Sequence, residues 1–131
     1  MLFRSKAIAF DADGRAGDVY ALLAAALGES DVTAEFEGIG IALADKGWTN
    51  KQLAEALLNT SVYKEDAGGV STETFIKHVY KNVMGADATL TEVVDLTTWM
   101  NTNHLSQADV LVIASQLEDF QTTIEIGRAH V

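Results

Sequence analysis

Apolar residues recur every three to four positions through most of this chain, and the pattern repeats itself. Val19–Gly28, VYALLAAALG, and Ile76–Gly85, IKHVYKNVMG, align without a gap when the chain is shifted by 57 residues. At the same offset Leu22 meets Val79, Gly28 meets Gly85, Glu35 meets Glu92, Ile39 meets Leu96 and Leu43 meets Met100. The register then continues through Thr49 with Ser106, Leu53 with Val110, Ala54 with Leu111 and Tyr63 with Phe120. Apolar positions and helix-start residues coincide together, which a chance alignment would not produce. The pattern predicts an all-α fold: a compact bundle of about six helices from two tandem three-helix units, residues 18–63 and 75–120.

In each unit the first helix is expected to end at its glycine, Gly28 or Gly85, because glycine adopts the left-handed cap conformation without a Cβ penalty. The second is expected over Thr33 to Asp45 and Thr91 to Asn101, with Glu35 or Glu92 in the first turn to complement the dipole. Its apolar stripe is Phe36, Ile39 and Leu43, then Val93, Leu96, Trp99 and Met100. The third opens at Thr49 and Ser106, each followed three residues on by Gln52 or Asp109 as in a capping box. Leu53, Ala56 and Leu57 then repeat as Val110, Ile113 and Ala114 on a helical spacing. Lys64 to Ser71 joins the units and is too short for an interdomain linker. Trp48 and Trp99 are expected in the core or at its rim, with no chemistry assigned.

Composition narrows the function classes. The 131 residues are 48% hydrophobic and 21% charged, ordinary for a folding chain. Cysteine and proline are both absent, which removes disulfides and cysteine-based zinc sites and leaves helices unbroken by proline. No apolar run reaches the roughly 18 residues that span a bilayer. Leu2-Phe3-Arg4-Ser5 is what CTCTTCCGATCT encodes, and residues 126–131, IGRAHV, are what ATCGGAAGAGCACACGTC encodes. These are opposite strands of one sequencing adapter, so residues 1–5 and 126–131 are expected to be adapter translation flanking a single domain at 6–125. The true termini and any signal sequence are then missing from a gene fragment, as in metagenomic reads. The full chain carries net charge −10, and without Arg4 and Arg128 seven basic residues face nineteen acidic ones, net −12. So acidic a surface repels phosphate backbones and anionic lipid, disfavouring nucleic-acid and membrane partners and leaving cations or basic partners open.

The tandem pattern resembles a bacterial family, the domain of unknown function 4214. The matching residues are VYALLAAALG with Gly38 and Ile39, then DKGWTNKQLAEALLNTSVY from Asp45 to Tyr63. In the second unit they are FIKHVYKNVMG and LSQADVLVIASQLEDF, from Leu105 to Phe120. Asp95 stands where the first unit has Gly38. The resemblance covers nearly all of 6–125. It implies a helical fold similar to linker domains, a place in large secreted or surface-associated proteins often beside RTX-type calcium-binding nonapeptide repeats, and no catalytic residues.

Two chemical readings compete with it. Ala7 to Gly14, AIAFDADG, resembles the first motif of haloacid-dehalogenase-type phosphatases, in which one aspartate attacks phosphorus and the next handles the proton with magnesium bridging. Asp11 and Asp13 would fill those roles, but Arg15 replaces the expected threonine. Val110 to Ser115 could supply the second motif's strand, although it aligns with the helical LAEALL of 53–58. Asp11, Asp13 and Asp18 could instead gather around calcium, yet no bidentate glutamate follows at EF-hand spacing. The other reading of these carboxylates is an acidic lead-in to the first helix. His78 and His104 are expected on helix surfaces, and Ser61, Ser71 and Ser115 as caps or surface. No catalytic, cofactor-binding or metal residue is therefore assigned. The expected function is a non-catalytic structural or protein-interaction module of a larger bacterial secreted or cell-surface protein. Its partner would be an unidentified protein or surface, or neighbouring domains of the same chain.

Overall fold

The computed structural model describes residues 16–118, 120–122 and 124; every regular element among them is helical, with no strand. The helices are α1 Gly17–Leu27, α2 Ala34–Asp45, α3 Asn50–Leu58, α4 Ser61–Ala67, α5 Thr72–Met84, α6 Leu90–Thr102 and α7 Gln107–Ser115. A 3-10 turn, Glu29–Asp31, follows α1, and residues 118, 120–122 and 124 are again helical. The all-helical bundle is as expected, with more and shorter helices. The stretch read as one third helix breaks after Leu58, because the Thr60 hydroxyl accepts the N–H of Tyr63 and starts α4. α4 then runs through part of the expected joining segment, and Gly68 caps it in the left-handed conformation.

Serine or threonine caps six of the seven α-helices. Thr33, Thr49, Thr60, Ser71, Thr89 and Ser106 each have extended backbone, and each hydroxyl accepts the N–H three residues on. Thr49 with Gln52 and Ser106 with Asp109 form reciprocal capping boxes, as their spacing predicts. Thr89 with Glu92 makes a third, so α6 starts at Leu90 rather than Thr91. Gly85 is the expected left-handed cap, with φ 78° and ψ 9°. Gly28 is not: its φ of 88° comes with a ψ of 146°, which swings the chain out into the 3-10 turn.

The core is built around α1. Val19 and every residue from Ala21 to Leu27 are buried, and α2, α3, α4, α5 and α7 all pack on this helix. A helix apolar on all sides belongs in the interior, and Ala24, Ala25 and Ala26 let its neighbours come close. At Gly40 a Cβ would stand 2.6 Å from Val19 Cγ1, so α2 crosses α1 where only glycine fits. Gly38, by contrast, faces open space. The offset of 57 pairs α1 with α5, but α5 carries Lys77, His78, Lys81 and Asn82 opposite Tyr20, Ala21, Ala24 and Ala25 of α1. It buries only the face of Phe75, Ile76 and Val79 and lies on the outside. Residues at equivalent positions thus occupy a central helix in one half and a peripheral one in the other. α3 and α7 pack closely on each other, with Ala54 and Leu111 wholly buried.

Among the described residues one non-glycine backbone position is strained. His104, after α6, has φ 54°, in the left-handed region that costs a residue with a Cβ about 1–2 kcal/mol. Its counterpart 57 residues earlier is Gly47, at φ 99°. His104 therefore sits in a turn and not on the helix surface the pattern implied. His104→Gly is expected to stabilise the protein by about 0.5–1 kcal/mol, the strain relief being partly offset by glycine's greater freedom when unfolded. A higher urea midpoint with an unchanged slope would register it.

Candidate functional site

In the stripe Leu53, Ala56, Leu57 and its repeat Val110, Ile113, Ala114 only Leu53 is buried in the core, and all six line two open apolar grooves. The first, about 200 Å³, lies between α1, α2 and α3, and the second, about 370 Å³, between α5, α6 and α7. The grooves are built from equivalent positions. Val19, Leu22, Ile39, Leu43, Leu53 and Leu57 line one, and their partners 57 residues on, Ile76, Val79, Leu96, Met100, Val110 and Ala114, line the other. Leu53 is nevertheless buried in the core, whereas Val110 is only partly buried. Thr97 stands in the second half where Gly40 lets α2 close onto Val19 in the first. The walls of the second groove leave Met84, Trp99, Ile113 and Leu117 between 38% and 57% exposed, and Ile39 at the first groove is 54% exposed. Trp99 thus stands at a rim, whereas Trp48 packs against the core.

A carboxylate stands at the edge of the second groove. Tyr80, one of its lining residues, donates its hydroxyl to Glu92 Oε2 at 2.7 Å, and the N–H of Thr89 donates to Glu92 Oε1 at 2.8 Å. The Thr89 N–H first, and the Tyr80 hydroxyl second, hold the Glu92 carboxyl below its ordinary range. Asp109 is lowered likewise by the Ser106 N–H and then by Lys51, which reaches it at 3.2 Å from α3. A carboxyl with a depressed folded-state pKa stabilises above its unfolded value, and loses that contribution as pH falls through the folded one. Between about pH 5 and pH 3, around the unperturbed glutamate value, Glu92→Gln is therefore expected to lose less stability than the parent chain, as urea unfolding at the two pH values would reveal.

A polar cleft lies on the other flank of α5, beside the end of α1, and holds Asp31, Asp66, Lys77, His78, Lys81 and Asn82. The last carbonyls of a helix have no partner within it. Here Asn82 Nδ2 donates to Ala25 O at 2.8 Å, and His78 Nε2 lies 2.7 Å from Ala26 O. A carbonyl only accepts, so Nε2 carries the proton. The ring of Tyr63 meets His78 edge-on at 5.9 Å, and burial pushes the Tyr63 hydroxyl up to about 12. Partial desolvation, and then the facing Asp31 carboxyl, raise Asp66 above its ordinary range. Lys77 and Lys81 reach out to Glu73 at 2.7 Å and Asp87 at 3.3 Å. The arrangement caps a buried helix.

Asp11 and Asp13 lie outside the described residues. Asp18 is placed by packing: its carboxylate accepts from Asn50 Nδ2 at 3.3 Å and Gln116 Nε2 at 3.4 Å, tying α1 to α3 and to the end of α7. Among the described residues no group of three or more histidine, aspartate or glutamate side chains is disposed to hold a metal ion. Val110 to Ser115, the strand a phosphatase would require, lies in α7, and the buried Ser115 hydroxyl donates to Val112 O at 2.7 Å. Ser71 is a cap, and Ser61 is exposed in the first turn of α4. His78 is half-buried and pinned rather than a solvated surface residue.

Neither the known protein families, nor the curated proteins, nor the solved structures contain a match to this chain.

Proposed function

We propose that the chain is a non-catalytic structural or protein-interaction module of a larger bacterial secreted or cell-surface protein, made of two tandem copies of one helical unit. The observation that carries this reading is the pair of apolar grooves at equivalent positions, each leaving large apolar side chains open to solvent. Contiguous exposed apolar surface of this kind marks contact sites on proteins. In both halves a helix face lines a groove, although α1 is central and α5 peripheral. The secreted or surface setting rests on the tandem pattern that resembles the domain of unknown function 4214.

Partners are then proteins, surfaces or adjoining domains reached through helix faces. A net charge of −10 opposes binding to phosphate backbones. Among the described residues no helix is long and apolar enough to cross a membrane.

Two assays test the reading. The chain with magnesium is expected to leave p-nitrophenyl phosphate intact, and hydrolysis abolished by Asp11→Asn would replace the module with a phosphatase fragment. Calcium is expected to leave the melting temperature unchanged. A calcium-dependent rise that Asp13→Asn removes would make it a calcium-binding accessory domain.

A further inference from the structure

We propose that the groove between α5, α6 and α7 is a docking site for an amphipathic helix whose polar face carries lysine or arginine. This deepens the interaction-module reading and rests on it. The groove's volume of about 370 Å³ falls within the range of binding sites, and its lining carries no charged side chain. Trp99 on α6, Ile113 on α7 and Leu117 just beyond the end of α7 all line it and are all more than a third exposed. Side chains so spaced suit a partner helix that inserts apolar anchors at i, i+3 or i+4, and i+7.

Charge selects the partner. On α6, Glu92 and Asp95 lie seven and four residues before Trp99, two turns and one turn back along the same face. Glu92 is fixed there by Tyr80 and stays ionised, and Glu118 follows Leu117 at the far wall. The lysines of α5, Lys77 and Lys81, line the cleft on the opposite flank and are occupied by Glu73 and Asp87. The rim is therefore acidic, on a chain of net charge −10. A second copy would bring the same acidic rim against it and be repelled, whereas a basic helix completes it.

The test is calorimetric titration of the full chain with three synthetic peptides of about five helical turns. One has leucine at i, i+3, i+4 and i+7 with lysine elsewhere, the second has glutamate in place of lysine, and the third has the lysine composition with its leucines scrambled. The first is expected to bind at least about tenfold more tightly than either other at low salt, with the gap to the glutamate peptide narrowing as salt rises. Ile113→Gln with Leu117→Gln should weaken it at least about tenfold at an unchanged melting temperature. Leu90→Gln with Val94→Gln, at residues exposed on α6 outside the groove, should leave it unaltered. Equal binding of the scrambled peptide, equal loss from both variant pairs, or no binding at all would overturn the proposal. So would a dimer in sedimentation that Ile113→Gln dissolves, which would make a second copy the occupant. None of these outcomes touches the hydrolysis and calcium assays, so the failure of the groove and the failure of the module reading remain distinct.

Discussion

Leu111→Ala is expected to lower the unfolding free energy by about 2–5 kcal/mol, the cost of a large side chain removed from a site that collapses only partly. Leu111 is wholly buried on α7, which packs against both α1 and α3. Its counterpart 57 residues earlier, Ala54, is also wholly buried, on the α3 side of the same interface. Equivalent positions thus carry one large and one small residue, as two similar helices need in order to interdigitate. Ala54→Leu alone should overfill the interface and cost about 1–3 kcal/mol. Combined with Leu111→Ala it should recover part of the loss, because volume removed at one position is refilled from the other. Denaturant titrations of the three variants would give the coupling, and strict additivity would mean that the two sites do not share a space.

The second large effect is expected at the end of α1. His78→Ala with Asn82→Ala removes the donors to Ala26 O and Ala25 O. An acceptor stripped of its partner costs about 1–3 kcal/mol when buried, and the open cleft admits water that moderates this, so about 2 kcal/mol is expected for the pair. His78→Gln with Asn82 retained should keep more of the stability than His78→Ala, since the amide restores a donor. Amide exchange in the last turn of α1 should quicken in the double variant. Unchanged protection there would mean that the two side chains do not hold the helix end.

What the sequence made legible was local. The capping boxes at Thr49 and Ser106 close within four residues, so their letters suffice. Several positions related by the offset of 57 line the two grooves. Two features depended on distant partners. A stripe such as Leu53, Ala56, Leu57 has the same period whether it faces a core or a groove, and only the arrangement of the other helices separates the two. His78 meets a carbonyl 52 residues earlier, beyond any helical pattern. That α1 is central and α5 peripheral was nonetheless written in the letters, in the polar set Lys77, His78, Lys81 and Asn82 against the alanines of α1. The strain at His104 was likewise readable from Gly47 in the other copy. Asp11 and Asp13 precede the described residues, and their chemistry is left to the hydrolysis and calcium assays.

The central claim is that α1 serves both halves as a common interior, so that neither half has a core without the other. Circular dichroism with urea titration of residues 16–68 and 69–124, separately and mixed, tests it most directly. The account predicts weak, non-cooperative signals from each piece alone and recovered helix with a cooperative transition on mixing. A sharp transition in either isolated piece, with the stability of the intact chain, would contradict it.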